Sequence, residues 1–284
     1  MIGKLMLGTV FPSVLTHSRY HVNAYNVTDA DAPAGIYVNG MGRYPGGPNT
    51  TLSVTNVEQG KRYRIRLIDM ACGPHIIFSI DNHNFTVIEA DGQAVVPLSV
   101  DSITISSGQR YSFILQANQP VDNYWIHALP STFPSNFTNG WNSAILRYAG
   151  APEGEPKNRT WPLVNGLNET ALHARDNTVA PGLPYPGGAD ISINLVATLD
   201  NVTLDYLING FKYTPPDTPT LLQILSGARG IAALANQGSV YTLPPNKVIE
   251  VSFPAEFLAA PVFHFLYVTF PSDGRVSIRS TCTG

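Results

Sequence analysis

The sequence predicts an all-β protein, with one complete antiparallel β-sandwich followed by an incomplete second one. Short apolar-rich segments recur about every 8–12 residues with Gly, Asp and Asn between them, which is typical of sandwich strands joined by turns. In the run KRYRIRLID, Tyr63, Ile65 and Leu67 alternate with arginines, which indicates a strand with one buried face. No long amphipathic helical pattern is present.

The strands of the first sandwich are predicted between about residues 20 and 150. The run HIIFSIDNHNFTVIEADG indicates two strands joined by a turn at Asp81-Asn82. Further strands are predicted in PLSVDSITISSGQRYSFILQANQ, NYWIHALP and NSAILRYAG. The alternating arginines of KRYRIRLID could form a basic stripe that binds a polyanion, but a solvent-exposed strand face is the favoured interpretation. The acids Asp81, Glu89, Asp91 and Asp101 fall at turns and strand ends, which favours turn formation over acid–base catalysis.

A composition change marks the end of this unit. Residues 151–190 are rich in Pro, Gly, Asn and Glu, which predicts a connecting segment. Strand patterns resume in ISINLVATL and YLINGFKY, so residues 191–261 are assigned to the second, incomplete sandwich. YVNGMGRYPGGPNTT and YLINGFKYTPPDTPT share a strand, an Asn-Gly pair and a proline-bearing loop. They indicate either two copies of one unit or a chance match between hairpins.

The composition excludes several classes of protein. Charged residues make up 13% and hydrophobic residues 44% of the 284 residues, so general disorder is excluded. The net charge of −3 and the lack of basic blocks argue against nucleic acid or an anionic membrane as partner. No apolar run reaches the length of a membrane span. The opening MIGKLMLGTVFPSVL has Pro12 within its apolar stretch and no clear cleavage site, which argues against a signal peptide.

Asparagine sequons point to the extracellular space. Seven Asn-x-Ser/Thr sites lack an intervening proline, and in a chain poor in charge they favour a secreted glycoprotein. The two cysteines, Cys72 and Cys282, would by default form one disulfide in an oxidising compartment, although two cysteines fix no framework. The predicted glycosylation sites are Asn26, Asn49, Asn84, Asn136, Asn158, Asn168 and Asn201.

Longer runs carry a specific resemblance. VNGMGRYPGG, QGKRYRIRLIDMACGPHIIFSIDNHNFTVIEADG, PLSVDSITISSGQRYSFILQANQPVDNYWIHALP and NSAILRYAG resemble the middle domain of fungal laccases, which are multicopper oxidases. LINGFKYTPPDTPTLLQILSGA and GSVYTLPPNKVIEVSFPA resemble the start of their third domain. The resemblance covers about Tyr20 to Pro261 and implies cupredoxin-like (plastocyanin-like) Greek-key sandwiches, complete at 20–150 and truncated at 191–261.

The resemblance implies a copper enzyme. Laccases oxidise phenols and aromatic amines at a type 1 copper and pass electrons to a three-copper cluster that reduces dioxygen to water, a chemistry used in lignin degradation. The expected partners of the complete enzyme are therefore aromatic small molecules and dioxygen. Such coppers need His₂Cys and paired His-x-His ligands. In the family these ligands come from the first domain and the end of the third, so this chain is expected to have no activity alone.

The histidines agree with that expectation, because no His-x-His occurs among His17, His21, His75, His83, His127, His173 and His264. We therefore predict no catalytic, cofactor-binding or metal-binding residue in the chain. A cysteine at the place of Cys72 forms a disulfide to the first domain in the family, so its partner is expected outside the chain. Gly73 replaces an acidic residue that contacts substrate in several relatives, which leaves the substrate preference open.

Both ends of the chain depart from the resemblance. In laccases a segment such as SFPA…AP is followed by His-Pro-Phe-His-Leu-His-Gly. Codons for that motif shifted by one base can encode Ile-Arg-Ser-Thr-Cys-Thr-Gly, the sequence of Ile278–Gly284. Residues 262–284 are therefore expected to be non-native: a retained intron translated as Val262–Val276, then an out-of-frame tail. We expect no copper on His264 and no specific disulfide between Cys282 and Cys72. Residues 1–19 are expected to be a non-native leader by the same process.

Two other functions stay open. The chain could be a genuine non-catalytic secreted cupredoxin-like protein with a binding or structural role. It could also be an unrelated enzyme on a sandwich fold, such as a glycan-active protein. No Gly-x-Ser-x-Gly elbow or phosphate-binding glycine loop is present to support another chemistry.

Overall fold

Alternation between inward and outward side chains organises the first part of the chain into two sheets. The computed structural model describes residues 2–10, 35–44, 46–71, 75–131, 140–157, 162–176, 182–183, 185, 187–203, 205–213, 218, 220–227, 241 and 243–252. These fall into two units, Met1–Thr178 and Val179–Gly284. The predicted all-β class is confirmed.

The first sheet has the strand order β2-β1-β4-β9-β6-β7. Its central strand β4 shows the predicted alternation, because Tyr63, Ile65, Leu67 and Asp69 are buried while Arg62 is exposed. Its strands are β1 (Ile2–Val10), β2 (Gly35–Val38), β4 (Arg62–Asp69), β6 (Phe85–Ala90), β7 (Gln93–Val100) and β9 (Arg110–Gln116).

The second sheet has the order β3-β11-β10-β5-β8. All its pairs are antiparallel except β3 with β11, which is parallel. Its strands are β3 (Val54–Val57), β5 (Ile76–Ile80), β8 (Ser102–Ile105), β10 (Asn123–Pro130) and β11 (Ser143–Tyr148).

The core lies between these sheets. Phe78 of the second sheet contacts Phe85 and Phe113 of the first at ring-centroid distances of 5.8 and 5.7 Å, and the latter two rings lie 4.5 Å apart. All three side chains are fully buried, so aromatic packing joins the two layers. The predicted turn after β5 is present, with Asn82 at a φ of +60°.

Strand β1 was not expected. Residues 1–19 were expected to be a leader that precedes the sandwich, whereas Ile2–Val10 pairs in parallel with β4 and antiparallel with β2. The pairing has a simple physical reason: without β1 the inner strand β4 would carry a free edge, and an extended segment satisfies those backbone groups. Whether residues 1–19 are native sequence is a separate prediction.

A segment predicted as linker also belongs to the first unit. We call residues 163–175 the strap. Its backbone pairs with the free edge of β7, where Val96 N donates to His173 O at 2.8 Å, and with β8, where Leu167 N donates to Ser102 O at 2.8 Å. A short 3-10 helix, Glu169–Ala171, lies between these contacts. The strap thus covers one edge of each sheet, and the change between units follows Thr178.

The second unit is described by short elements. β12 (Ile191–Asn194) pairs in parallel with β16 (Ile249–Ser252), and β13 (Ala197–Leu199), β14 (Tyr206–Ile208) and β15 (Phe211–Lys212) form an antiparallel meander. The helix α1, Thr220–Leu225, has six residues. No helix among the described residues is long and apolar enough to cross a membrane.

Candidate functional site

The described sequons lie on the surface of the protein. Asn49, Asn84, Asn168 and Asn201 are exposed, as N-linked glycosylation requires. Asn168 caps the 3-10 helix, and its Oδ1 accepts hydrogen bonds from the backbone and hydroxyl of Thr170. The remaining predicted sites, Asn26, Asn136 and Asn158, lie outside the described residues.

His83 is buried inside the sandwich and is part of a chain of hydrogen bonds. Its Nδ1 lies 2.6 Å from Asp81 O and its Nε2 lies 2.7 Å from the Tyr148 hydroxyl. A carbonyl only accepts, so Nδ1 carries the proton and Nε2 accepts from Tyr148, whose oxygen in turn accepts from Gln119 N at 3.2 Å. Burial lowers the pKa of His83, although the carbonyl and charge of Asp81 oppose it, which favours this neutral form.

The second buried histidine contact joins β10 to the turn after β5. His127 Nε2 lies 2.8 Å from Asp81 Oδ1, and Asp81 is 3% exposed. Asp81 Oδ2 has no hydrogen-bond partner among the described residues. Asp81 therefore serves two histidines, with its carbonyl toward His83 and its carboxylate toward His127.

These arrangements do not suit copper. His83 uses both ring nitrogens, and His75 Nδ1 lies 2.7 Å from Ser106 Oγ. His173 is exposed in the strap. Within the described ranges, no group of three or more His, Cys, Asp or Glu side chains could hold a metal ion. His17, His21, His264 and Cys282 lie outside those ranges, and so do Cys72 and Gly73.

The acids singled out in the sequence hold the fold together. Glu89 pairs with Arg64, and Asp91 Oδ1 lies 3.1 Å from Arg110 Nη1. Asp101 sits where the chain passes from β7 to β8, and its Oδ2 accepts from Val164 N and Asn165 N of the strap at 2.6 and 2.7 Å. Burial opposes ionisation of Asp101, but these bonds and one from Ser102 outweigh it and lower its pKa.

Asp69 is a buried acid that was not among the acids predicted at turns and strand ends. It ends β4 on the core-facing side and is 1% exposed. Its Oδ1 accepts from Ala71 N at 2.8 Å, whereas Oδ2 has no hydrogen-bond partner among the described residues. Burial raises its pKa to about 6, against the smaller lowering effect of the Ala71 bond. The alternation of KRYRIRLID carried the signal, because it places residue 69 on the same face as Leu67.

An open cavity of about 500 Å³ lies on the surface of the first unit. Arg43 and Glu155 form an ion pair at 2.7 Å on its wall, and the guanidinium also donates to Thr50 O at 2.6 Å. Tyr44, Trp141 and Asn49 contribute two aromatic rings and an amide. This composition suits a ligand with both apolar faces and polar edges. No local sequence pattern indicates this cavity, because the residues of its walls lie about a hundred positions apart.

Comparison with known proteins identifies relatives. A family model described as multicopper oxidase matches residues 14–151. Laccase-2 of Pleurotus ostreatus is 50% identical over 252 residues, which cover 88% of this chain and 47% of that protein. Laccase-5 of Trametes villosa is 50% identical over 224 residues, covering 78% of this chain and 42% of that protein. The chain therefore spans about half the length of the curated relatives it matches.

A solved structure supports the fold. The crystal structure of Fet3p, described as a multicopper oxidase that functions in iron import, matches with a TM-score of 0.59 and 19% identity. The match covers 88% of this chain and 46% of that one. At this identity the similarity concerns the cupredoxin-like fold alone.

Proposed function

Because the chain belongs to the multicopper oxidase family, with fungal laccases as its relatives, we propose that it supplies the middle domain and the beginning of the third domain of a laccase. The complete enzyme would oxidise phenols and aromatic amines and reduce dioxygen to water. The observation that carries this proposal is the 50% identity to fungal laccases over most of the chain.

In this proposal, the copper ligands belong to parts of the complete enzyme other than the described residues of this chain. The described histidines are engaged in internal hydrogen bonds or lie alone, so they do not fit a copper site. The contribution of the first sandwich would then be structural, as the domain that lies between two copper-binding domains. Cys72 would pair with a cysteine of the preceding domain. Secretion and N-glycosylation complete the proposal, supported by the four exposed sequons.

A chimera tests the proposal. The segment of Pleurotus ostreatus Laccase-2 that aligns with residues 20–261 would be replaced by those residues of this chain. We expect a secreted protein that binds copper, absorbs in the blue-copper band and oxidises a phenolic dye. Peptide mapping without reduction should show Cys72 joined to a cysteine of the laccase first domain. The same chimera with Phe113→Asp, which disrupts the core, should lose copper and serves as the unfolded control.

Two results would contradict the proposal. A chimera that is secreted and resists protease like Laccase-2, yet binds no copper, would favour the non-catalytic cupredoxin-like protein. The isolated chain incubated with Cu(II) should show no intense blue thiolate band and no dye oxidation. A blue band there would mean that a cysteine of this chain is a copper ligand after all.

A further inference from the structure

The cavity beside Asn49 has walls that are ordered before any ligand arrives. The side chain of Arg43 is 10% exposed and is fixed by Thr50 O and Glu155. Tyr44 lies against the turn that follows it, where Gly47 N donates to Tyr44 O at 3.0 Å. A Cβ at residue 47 would come within 2.6 Å of the tyrosine ring, so the glycine allows the ring to lie directly on the backbone. One aromatic face is thus fixed at the cavity.

Asn49 stands on the same wall as a potential modification site. It is exposed and begins the sequon Asn49-Thr50-Thr51, in which Thr51 is exposed as well. Thr50 Oγ1 donates to Gly42 O at 2.7 Å and anchors the loop. The acceptor amide is therefore presented on an anchored loop rather than on a free one.

We propose that the cavity is the seat of an N-linked glycan attached to Asn49, with its first sugars packed between the two aromatic residues. In the attachment, Asn49 Nδ2 bonds to C1 of the first N-acetylglucosamine, loses a proton and displaces the diphosphate of a lipid-linked donor. The inference rests on the proposed function only in requiring passage through the secretory pathway. Neither copper nor oxidation enters it.

The chemistry of the cavity favours a sugar. A pyranose ring offers C–H groups on its faces, which pack on the electron-rich faces of Tyr44 and Trp141. Its hydroxyl and acetamide groups lie at the edge, where the Arg43–Glu155 pair supplies a charged donor and a charged acceptor. A volume of about 500 Å³ leaves room for one or two such rings.

Two of the other described sequons, Asn84 and Asn201, provide an internal comparison. Asn84 is exposed directly before β6, and Asn201 precedes Val202, which is 91% exposed. Neither lines this cavity. A glycan on Asn84 should therefore be accessible to solvent, whereas a glycan on Asn49 should be shielded.

The experiment uses the full chain behind a cleavable secretion signal, so that it enters the secretory pathway of a eukaryotic host. The protein is recovered from total lysate and medium, so that retained protein also counts. Mass spectrometry of peptides measures occupancy at Asn49 and Asn84. Peptide N-glycosidase then releases glycans under native conditions. We expect Asn49 to be occupied and its glycan to be released about tenfold more slowly than that of Asn84, equivalent to about 1.4 kcal/mol of protection. After denaturation the two rates should agree.

Variants test whether the slow release of the Asn49 glycan depends on the cavity or on folding in general. Trp141→Ala should bring the Asn49 rate to that of Asn84, whereas Trp141→Phe should keep most of the protection. Far-ultraviolet circular dichroism and resistance of the first unit to protease report whether each variant is folded, because an accessible Asn84 glycan is released in either state. Thr51→Ala should abolish occupancy at Asn49 and Thr51→Ser should retain it.

Three outcomes would overturn the proposal: an empty Asn49 beside an occupied Asn84, equal release rates in the native wild type, or a rate ratio unchanged by Trp141→Ala. The Thr51→Ala chain, which lacks a glycan at Asn49, can also be titrated with free chitobiose, using tryptophan fluorescence. Binding of the free saccharide without protection of the Asn49 glycan would mean that the cavity takes a separate carbohydrate, which also contradicts the attached glycan.

Discussion

The buried carboxyl of Asp69 should make the first sandwich less stable as pH rises. Its pKa in the folded protein is raised from 3.8 to about 6 by burial. Between these values the folded state holds a proton that the unfolded state has released, so the free energy of unfolding falls with increasing pH. The fall is complete above about pH 6, and stability is fully retained only below about pH 4.

The magnitude follows from the shift. A rise of about 2 pKa units corresponds to about 3 kcal/mol, since one unit is about 1.4 kcal/mol. Asp69→Asn removes the charged form and keeps an oxygen for the Ala71 N–H. Its new amide group lacks a partner at the position of Oδ2, but that cost, about 1–3 kcal/mol, does not depend on pH. The prediction therefore concerns a difference between two pH values.

The assay is urea unfolding followed by intrinsic tryptophan fluorescence, to which the buried Trp125 contributes. The stability of Asp69→Asn relative to the wild type should rise by about 3 kcal/mol between pH 3.5 and pH 7.5. Asp101→Asn is the matched control, because the pKa of Asp101 is lowered and the same comparison should change in the opposite direction. A relative stability of Asp69→Asn that stays constant over this range would refute the argument.

Three further predictions concern contacts within the first unit and the relative protease resistance of the two units. Tyr111→Phe removes the hydroxyl that donates to Glu169 of the strap, so trypsin should cleave at the exposed Arg175 faster than in the wild type, with little change in the thermal midpoint of the sandwich. His127→Ala leaves the Asp81 carboxylate without its partner and should lower the free energy of unfolding by about 1–3 kcal/mol, whereas His127→Gln should lose less because its amide can still donate. In limited proteolysis of the wild type, the chain from residue 191 onward should be cut before the first sandwich, because few of its described residues are buried; equal protection of both units would contradict this.

The strands were predictable because strand formation depends on local sequence patterns. Alternation in KRYRIRLID placed Tyr63, Ile65 and Leu67 in the core, and NYWIHALP matches β10 residue for residue. Turn residues were equally informative, since Asn82 and the Asn209-Gly210 pair adopt positive φ angles that Asn and Gly tolerate well. These features depend on neighbours within a few positions.

The polar contacts were not predictable, because they join residues distant in sequence. His127 meets Asp81 across 46 positions, and Arg43 meets Glu155 across 112. A histidine in a strand indicates only that some partner exists. The cavity beside Asn49 likewise depends on Trp141 reaching the loop that holds Tyr44, which no periodicity encodes.

The strap shows where a rule based on composition fails. Pro, Gly and Asn between residues 151 and 190 predict a linker because such residues disfavour regular strands. Edge strands nevertheless need only a few hydrogen bonds from an irregular partner to lose their exposed polar groups. Here Asp101, at the crossing from one sheet to the other, binds two strap amides, and Val96 N and Ser102 O are satisfied on either side of it. A segment poor in strand-forming residues therefore covers one edge of each of the two sheets, because the backbone supplies these bonds irrespective of side chains.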